Sequence, residues 1–135
     1  MNLSHIGIAT NDLEKLMKEY IDNGYKVVSK VYDDTQLATL VLLSKENVPN
    51  IELVYTRNEL SKVYNTCKNN YRMEYHKCYK VKDLFKSIKA LQEKNYLQIT
   101  NIEYAPLLKA KICFMYSKES GLIELEEINE LNLHI

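Results

Sequence analysis

Apolar positions near the start of the chain predict a strand followed by a helix. Residues 3–9 form a short, mainly apolar run, typical of a strand. Apolar residues then recur at the i, i+3, i+4, i+7 and i+8 spacing of a helix with one buried face; they are Leu13, Leu16, Met17, Tyr20 and Ile21. Asn11, with Glu14 three residues later, is the predicted helix start. Gly24 is the predicted end, because glycine readily adopts the left-handed conformation that ends helices.

The second half of the chain repeats the first. His76 follows His5 by 71 residues, and Asp83-Leu84 follows Asp12-Leu13 by the same interval. Ile51-Glu52-Leu53 recurs as Ile123-Glu124-Leu125 with an offset of 72, so one inserted residue accounts for the difference. Such internal repetition indicates that one structural unit is used twice.

Each half predicts the same series of elements. In the first half, β-type runs at residues 25–32, 37–43 and 50–55 follow the helix. In the second half, residues 75–81 are the leading strand, and the predicted helix carries Leu84, Phe85, Ile88 and Leu91 and ends at Asn95. Three further runs follow it, at residues 96–103, 109–116 and 122–126. The prediction is therefore an α+β protein with two βαβββ modules.

Length and linkers define the predicted domain organisation. The 135 residues suit one domain, with module one at about 1–56 and module two at about 73–128. Apolar residues at helical spacing predict a connecting helix at about 57–72. Residues 129–135 are predicted to be either a short extra strand or a frayed end.

Composition excludes several classes of function. Lys and Arg (18) balance Asp and Glu (18), which disfavours nucleic-acid binding. No apolar run approaches the roughly 20 residues of a membrane span, and no secretory signal is recognisable at the start, so we expect a cytoplasmic protein without membrane attachment. The three cysteines have no paired spacing and predict reduced, buried thiols.

Strand alternation predicts where the polar residues lie. Ile6 and Ile8 would pack against the helix, so His5 would lie on the opposite face with Gly7 and Ala9. In module two the same argument places His76, Cys78 and Lys80 on that face. Glu52 and Glu124 each lie between apolar residues that face the helix, so both carboxylates also point away from it. Two histidines and two glutamates thus occupy matching positions in the two modules.

These four residues, His5, Glu52, His76 and Glu124, are the predicted metal ligands. A buried carboxylate costs several kcal/mol unless it is paired or coordinates a cation. Two nitrogen and two oxygen donors suit one divalent ion: zinc, nickel, cobalt or manganese. Taken singly, each residue would be interpreted as an ordinary core or surface residue. Their matching places in both halves favour the metal site.

Three segments carry a family resemblance: HIGIATNDLEK, YHKCYKVKDLFKSIKALQEKNY and SGLIELEE. They resemble the vicinal oxygen chelate superfamily, nearest to its methylmalonyl-CoA epimerase and glyoxalase I branches. The resemblance implies paired βαβββ modules with curved mixed sheets around a shared cavity, and one metal ligand from the first and last strand of each module. It also implies a homodimer.

The resemblance implies a metal-dependent lyase or isomerase that stabilises an enolate of a small oxo or thioester substrate. Glu124 is the expected proton-moving carboxylate, although Glu52 could exchange roles with it. The epimerase branch has a further acid on the third strand, whereas residues 36–43 contain none. Substrate-binding residues are not identified, although Lys80, Arg57 and Lys109 could contact an anion.

Three other functions remain open. The first is a small-molecule or antibiotic binding protein of the bleomycin-resistance kind, without catalysis. The second is an extradiol dioxygenase, which usually has a longer chain. In the third, the four residues are purely structural and no metal binds.

Overall fold

The computed structural model describes residues 2–133, in which strands and helices follow the repeated order predicted from the sequence. The elements are β1 (Asn2–Ala9), α1 (Leu13–Asp22), β2 (Lys26–Asp33), β3 (Ala38–Ser44), β4 (Asn50–Tyr55), α2 (Tyr64–Asn69), β5 (Met73–Val81), α3 (Leu84–Glu93), β6 (Leu97–Gln98), β7 (Glu103–Ala105), β8 (Ala110–Ser117) and β9 (Gly121–Glu127). The α+β class and the two βαβββ modules are confirmed.

The first compact unit, His5–Tyr75, contains module one. Its strands are ordered β2-β3-β4-β1, and β1 pairs with β4 in parallel while the other pairs are antiparallel. Helix α1 packs on one face of this mixed sheet. The core between them consists of apolar residues from both layers: Ile8, Leu13, Leu16, Val41, Leu43, Ile51 and Leu53.

The second compact unit contains module two, residues 76–133, together with residues 2–4 at the start of β1. Its main strands are ordered β6-β8-β9-β5, β7 also pairs with β8, and β5 pairs with β9 in parallel. Helix α3 packs on one face of this sheet. The core residues are Val81, Leu84, Ile88, Leu91, Cys113, Met115, Ile123 and Leu125.

Both long helices begin at an aspartate, which corrects the predicted start at Asn11. The Asp12 carboxylate accepts a hydrogen bond from the Lys15 backbone N–H at 3.2 Å, and the Asp83 carboxylate accepts one from the Lys86 N–H at 3.0 Å. Each aspartate pairs with one of the free N–H groups of the first helical turn. The repeat had already aligned Asp12 with Asp83, so the better choice was visible in the sequence.

Both helices also end as predicted. Gly24 has φ +94° and Asn95 has φ +68°, so the two repeat-related residues adopt the same left-handed conformation. The predicted apolar faces are less complete, because Ile21 and Phe85 are exposed. Phe85 is instead partly covered by Lys89, whose Nζ lies 4.6 Å from the ring centroid.

The connecting helix is shorter than the predicted 57–72. Helix α2 spans only Tyr64–Asn69. Before it, the Thr56 hydroxyl accepts a hydrogen bond from the Asn58 N–H, and the Asn58 side chain accepts one from the Leu60 N–H. Such local side-chain bonds compete with helical hydrogen bonds and favour turns.

The predicted strand at 96–103 is interrupted. The structure has only β6 and β7 there, separated by residues 99–102. The Thr100 hydroxyl accepts the hydrogen bond from the Phe114 N–H at 3.0 Å, and the Thr100 carbonyl accepts one from the Cys113 thiol. A side chain thus takes the place of a backbone acceptor, which interrupts the strand pairing.

After β9, residues 128–133 contain no extra strand, and residues 130–133 form a turn. The remainder of the prediction for residues 129–135 concerns His134 and Ile135, which lie outside the described residues. Within residues 2–133, no helix has both the length and the apolar character needed to cross a bilayer.

Candidate metal centre

In module one, the parallel pairing of β1 with β4 brings His5 and Glu52 together. Glu52 lies opposite Gly7 across the ladder, and His5 is two residues before Gly7, so it lies on the same face. The His5 Nε2 and a Glu52 carboxylate oxygen are 3.6 Å apart, and both side chains are buried. The first predicted pair of ligands is therefore formed within module one.

In module two, β5 and β9 reproduce this arrangement. Glu124 lies opposite Cys78, which is two residues after His76. The His76 Nε2 is 3.1 Å from a Glu124 carboxylate oxygen, and both side chains are buried. Phe114 of β8, the other neighbour of Glu124, contacts the His76 ring edge-to-face with centroids 5.3 Å apart.

Each pair lies on the sheet face opposite the helix of its module, which we call the inner face. The sequence neighbours of the ligands belong to the helix-side cores; they are Ile51, Leu53, Ile123 and Leu125. The predicted alternation is therefore confirmed for both glutamates. It follows that burial of the apolar neighbours fixes the direction of each carboxylate.

The residues of each pair fit a divalent ion. A buried carboxylate needs a compensating cation or several donors, and imidazole nitrogen with carboxylate oxygen suits zinc and similar metals. Each histidine–glutamate pair is buried and could contribute two ligand atoms to an ion. The use of all four residues around one ion stays a prediction.

The inner faces differ around these pairs. In module one the neighbouring inner-face residues are small or apolar: Gly7, Ala9, Leu40, Leu42 and Val54. In module two, Cys78 is buried, Lys80 is half-buried and Glu126 is fully buried. Sequence analysis missed Glu126 as a buried polar residue. The available signal was its position two residues after Glu124, which places both on one strand face.

The three residues predicted to contact an anion differ in exposure and contacts. Arg57 and Lys109 are exposed. Lys80 donates a hydrogen bond from Nζ to the backbone carbonyl of Asn132 at 3.1 Å. Of the three, Lys80 is the one that lies on the inner face beside a candidate ligand strand.

All three cysteines are buried and, within residues 2–133, none forms a disulfide, in agreement with the prediction. Burial raises the pKa of the Cys67 thiol and the pKa of the Cys113 thiol, because desolvation disfavours the thiolate. Burial thus disfavours the thiolate, which is the nucleophilic form, for both residues.

Comparison with known proteins identifies the superfamily to which the chain belongs. Residues 4–114 match the family model of the Glyoxalase/Bleomycin resistance protein/Dioxygenase superfamily. The fold is that of the vicinal oxygen chelate proteins, as the solved structures below also show. The chain belongs to this superfamily. No curated protein sequence matches it.

Several solved structures share the fold at low sequence identity. Methylmalonyl-CoA epimerase from Mycobacterium tuberculosis is 23% identical, with a TM-score of 0.85 over 96% of this chain and 89% of that one. A hypothetical protein from Bacillus halodurans C-125 is 21% identical, with a TM-score of 0.84 over 96% and 95%. A variant of Streptomyces coelicolor methylmalonyl-CoA epimerase, in complex with 2-nitronate-propionyl-CoA, is 20% identical, with a TM-score of 0.84 over 96% of each chain. At these identities the likeness establishes the fold alone.

Proposed function

We propose that this protein is a metal-dependent isomerase or lyase of the glyoxalase I and methylmalonyl-CoA epimerase type. Its substrate would be a small oxo or thioester compound with an acidic C–H beside a carbonyl. The observation that supports this most directly is the buried histidine–glutamate contact, which occurs once in each module at repeat-related positions. Two such contacts at matching places are difficult to explain by core packing alone, because apolar residues would pack there at lower cost.

In this proposal His5, Glu52, His76 and Glu124 hold one divalent ion, which is zinc, nickel, cobalt or manganese. When bound, such an ion stabilises negative charge that develops on a substrate oxygen. The chain supplies the ligands from β1, β4, β5 and β9, each fixed by a strand whose opposite face is packed in a core. Ligands on rigid strands hold their geometry better than ligands on loops.

Glu124 is the proposed proton carrier. Its module provides the more polar inner face, and its carboxylate lies closer to its histidine than the Glu52 carboxylate does, at 3.1 Å against 3.6 Å. A carboxylate that removes a proton from carbon and returns it to the neighbouring carbon completes a 1,2 shift with a single base. Glu52 is the alternative base in the same site.

The inner face of β3 favours this one-base chemistry over a two-base epimerisation. Its residues Ala38, Leu40 and Leu42 are apolar and fully buried, and Leu42 pairs with Glu52. No second acid is therefore available from this strand. The similar solved structures include epimerases in complex with CoA compounds, which supports thioesters as one substrate class to test.

A non-catalytic binding protein is the second candidate. The apolar inner face of β3 would suit a ligand that is held without reaction, as in bleomycin-resistance proteins. This candidate predicts ligand binding without metal and without proton exchange.

Metal uptake provides the first test. We expect about one divalent ion per chain after reconstitution with zinc, nickel, cobalt or manganese and removal of free metal. His76→Ala should abolish uptake, whereas Lys77→Ala, which changes the exposed neighbour on the opposite face, should retain it. Elemental analysis of the three proteins gives the result. The absence of metal from both His76→Ala and the unaltered protein would contradict the proposal.

Substrate screening provides the second test. The metal-loaded protein would be incubated in deuterium oxide with hemithioacetals of methylglyoxal and with epimerisable acyl-CoA esters. Proton NMR would then detect deuterium incorporation beside the carbonyl. Tight metal binding with no exchange in either class, together with binding of one of these compounds by the metal-free protein, would favour the second candidate.

We also propose a cytoplasmic location and a homodimeric assembly for this protein. Sedimentation of the purified protein would decide the second.

A further inference from the structure

A second buried polar cluster lies on the inner face of module two. The Glu126 side chain is fully buried. One carboxylate oxygen accepts hydrogen bonds from the Ser4 hydroxyl at 2.9 Å and the Cys78 thiol at 3.7 Å. The other accepts one from the side-chain amide of Asn132 at 2.8 Å. Glu126 thus joins three segments of the chain.

Asn132 makes several hydrogen bonds, among them one from its side-chain amide to the Glu127 carbonyl at 2.9 Å and a reciprocal pair with Asn129. Two more hold it to the inner face. Its side chain donates to Glu126, and its backbone carbonyl accepts a hydrogen bond from Lys80, which lies opposite Glu126 in the β5–β9 ladder. The turn is further tied at its start, where the Asn129 side chain donates to the Lys109 carbonyl at 2.9 Å. These bonds fasten residues 129–133, which we call the C-terminal strap, to the end of the inner face.

The strap is attached mainly through Asn132. That residue is 0% exposed, whereas its neighbours Leu131 and Leu133 are 66% and 56% exposed. A segment whose large apolar side chains remain in solvent gains little from hydrophobic burial and opens easily. The hydrogen bonds of Asn132 to the Glu126 carboxylate and the Lys80 ammonium are therefore the main attachments of the strap, since bonds to charged groups are the strong ones.

The fold does not require this arrangement. The module-one residues that correspond by the repeat to Cys78, Lys80 and Glu126 are Gly7, Ala9 and Val54. Val54 is fully buried in the same βαβββ topology without any polar cluster. A buried carboxylate that the sister module replaces with valine is best explained by a role other than folding.

We propose that Glu126 is the latch of the C-terminal strap and holds it at the end of the module-two inner face beside Glu124, so that Glu126 positions the strap rather than acting on the substrate. The claim that the strap borders a pocket rests on the proposed function. It follows from position: Cys78 pairs with Glu124, and the next inner-face pair along the same two strands is Lys80 with Glu126. Glu126 thus lies two residues after Glu124 on the same face of β9, at a distance of roughly 7 Å along the strand.

Hydrogen exchange tests the latch without any substrate or metal. Asn132→Asp replaces the amide donor with a carboxylate that faces Glu126 and cannot donate when ionised. We expect exchange of the peptide covering residues 128–133 to become about ten to a hundred times faster, as for loss of a hydrogen bond to a charged group. Glu130→Gln alters an exposed charge in the same strap and is the matched control.

A double variant distinguishes loss of the specific Glu126–Asn132 hydrogen bond from general loosening of the strap. In Glu126→Gln combined with Asn132→Asp, the amide and the carboxylate change places, so the bond can form in the opposite direction. We expect this double variant to restore slow exchange in the strap. Unchanged exchange in Asn132→Asp, or no recovery in the double variant, would overturn the latch.

Metal release tests whether the strap borders the substrate site; we call this proposed role of the strap the wall. Chelator-induced loss of bound cobalt should be at least several times faster in Asn132→Asp and recover in the double variant, while the equilibrium number of ions stays unchanged. A release rate that is identical in all variants would overturn the wall while leaving the latch intact. Protein that takes up no metal at all would overturn the wall together with the proposed function, and hydrogen exchange would still decide the latch.

Discussion

The two modules share a fold and a histidine–glutamate pair, yet their inner faces differ in polarity at three repeat-related positions. Around His5 and Glu52 the neighbours are small or apolar, whereas His76 and Glu124 lie beside Cys78, Lys80 and Glu126. The helix-side cores are equivalent, so this difference is confined to the face that carries the candidate ligands. In the proposed function, module two would carry the proton chemistry, while module one would provide ligands and space.

Removal of each carboxylate tests this division of labour with the largest expected effect. Glu124→Gln should lower kcat for the exchanging substrate by about 10²–10⁴, the range for loss of a general base. Glu52→Gln should lower it less, because that residue is proposed to act as a ligand only. Rates of deuterium incorporation would be compared at equal metal content, measured on the same samples. A larger loss in Glu52→Gln would reverse the two roles.

Truncation of one core residue in each module tests whether the helix-side cores are equivalent in energy. Leu53 and Leu125 are repeat-related, and both are fully buried. Each Leu→Ala change should cost about 2–5 kcal/mol of unfolding free energy, through lost burial and the cavity left behind. Urea denaturation followed by circular dichroism gives both values. A difference beyond this range would mean that one module dominates stability.

Replacement of the aspartates at the two helix starts has the smallest expected effect and compares the two modules at equivalent positions. Asp12→Ala and Asp83→Ala should each lower the unfolding free energy by about 0.5–2 kcal/mol, because each leaves a first-turn N–H without its side-chain acceptor. Asn11→Ala is the control and should change stability by less than about 0.5 kcal/mol. The same urea titrations provide the measurement. An Asn11 effect equal to that of Asp12 would restore the start predicted from the sequence.

Repetition made the architecture and the positions of the two buried histidine–glutamate pairs predictable. An apolar residue that packs against a helix fixes the face of its neighbour, so Ile51 and Leu53 determine where Glu52 points, and the same holds for Glu124. The offset between the halves then identifies His5 with His76. These inferences need only periodicity, which sequence carries directly.

Local competition between side chain and backbone was harder to predict. The Thr100 hydroxyl divides a run of β-type residues, and Thr56 and Asn58 shorten the connecting helix by accepting backbone hydrogen bonds. Whether such a side chain bonds to backbone or to water depends on where the neighbouring strand lies. Periodicity contains no information on that choice.

Glu126 was missed for a different reason. A glutamate next to the end of a strand ordinarily faces water, and its burial depends on Asn132, which returns to it from the following turn. Contacts made by an irregular segment leave no periodic signal. The contrast with Val54 becomes informative only after the repeat is combined with the structure.

The parallel pairing of the first and last strands in each module has a kinetic consequence. His5 is 47 residues from Glu52, and His76 is 48 residues from Glu124, so neither contact can form until almost an entire module has been enclosed. Such non-local pairings form slowly, because chain entropy must be lost before they contribute stability. The acquisition of metal affinity should therefore coincide with completion of folding, and a metallochromic dye would report when newly made chains mature.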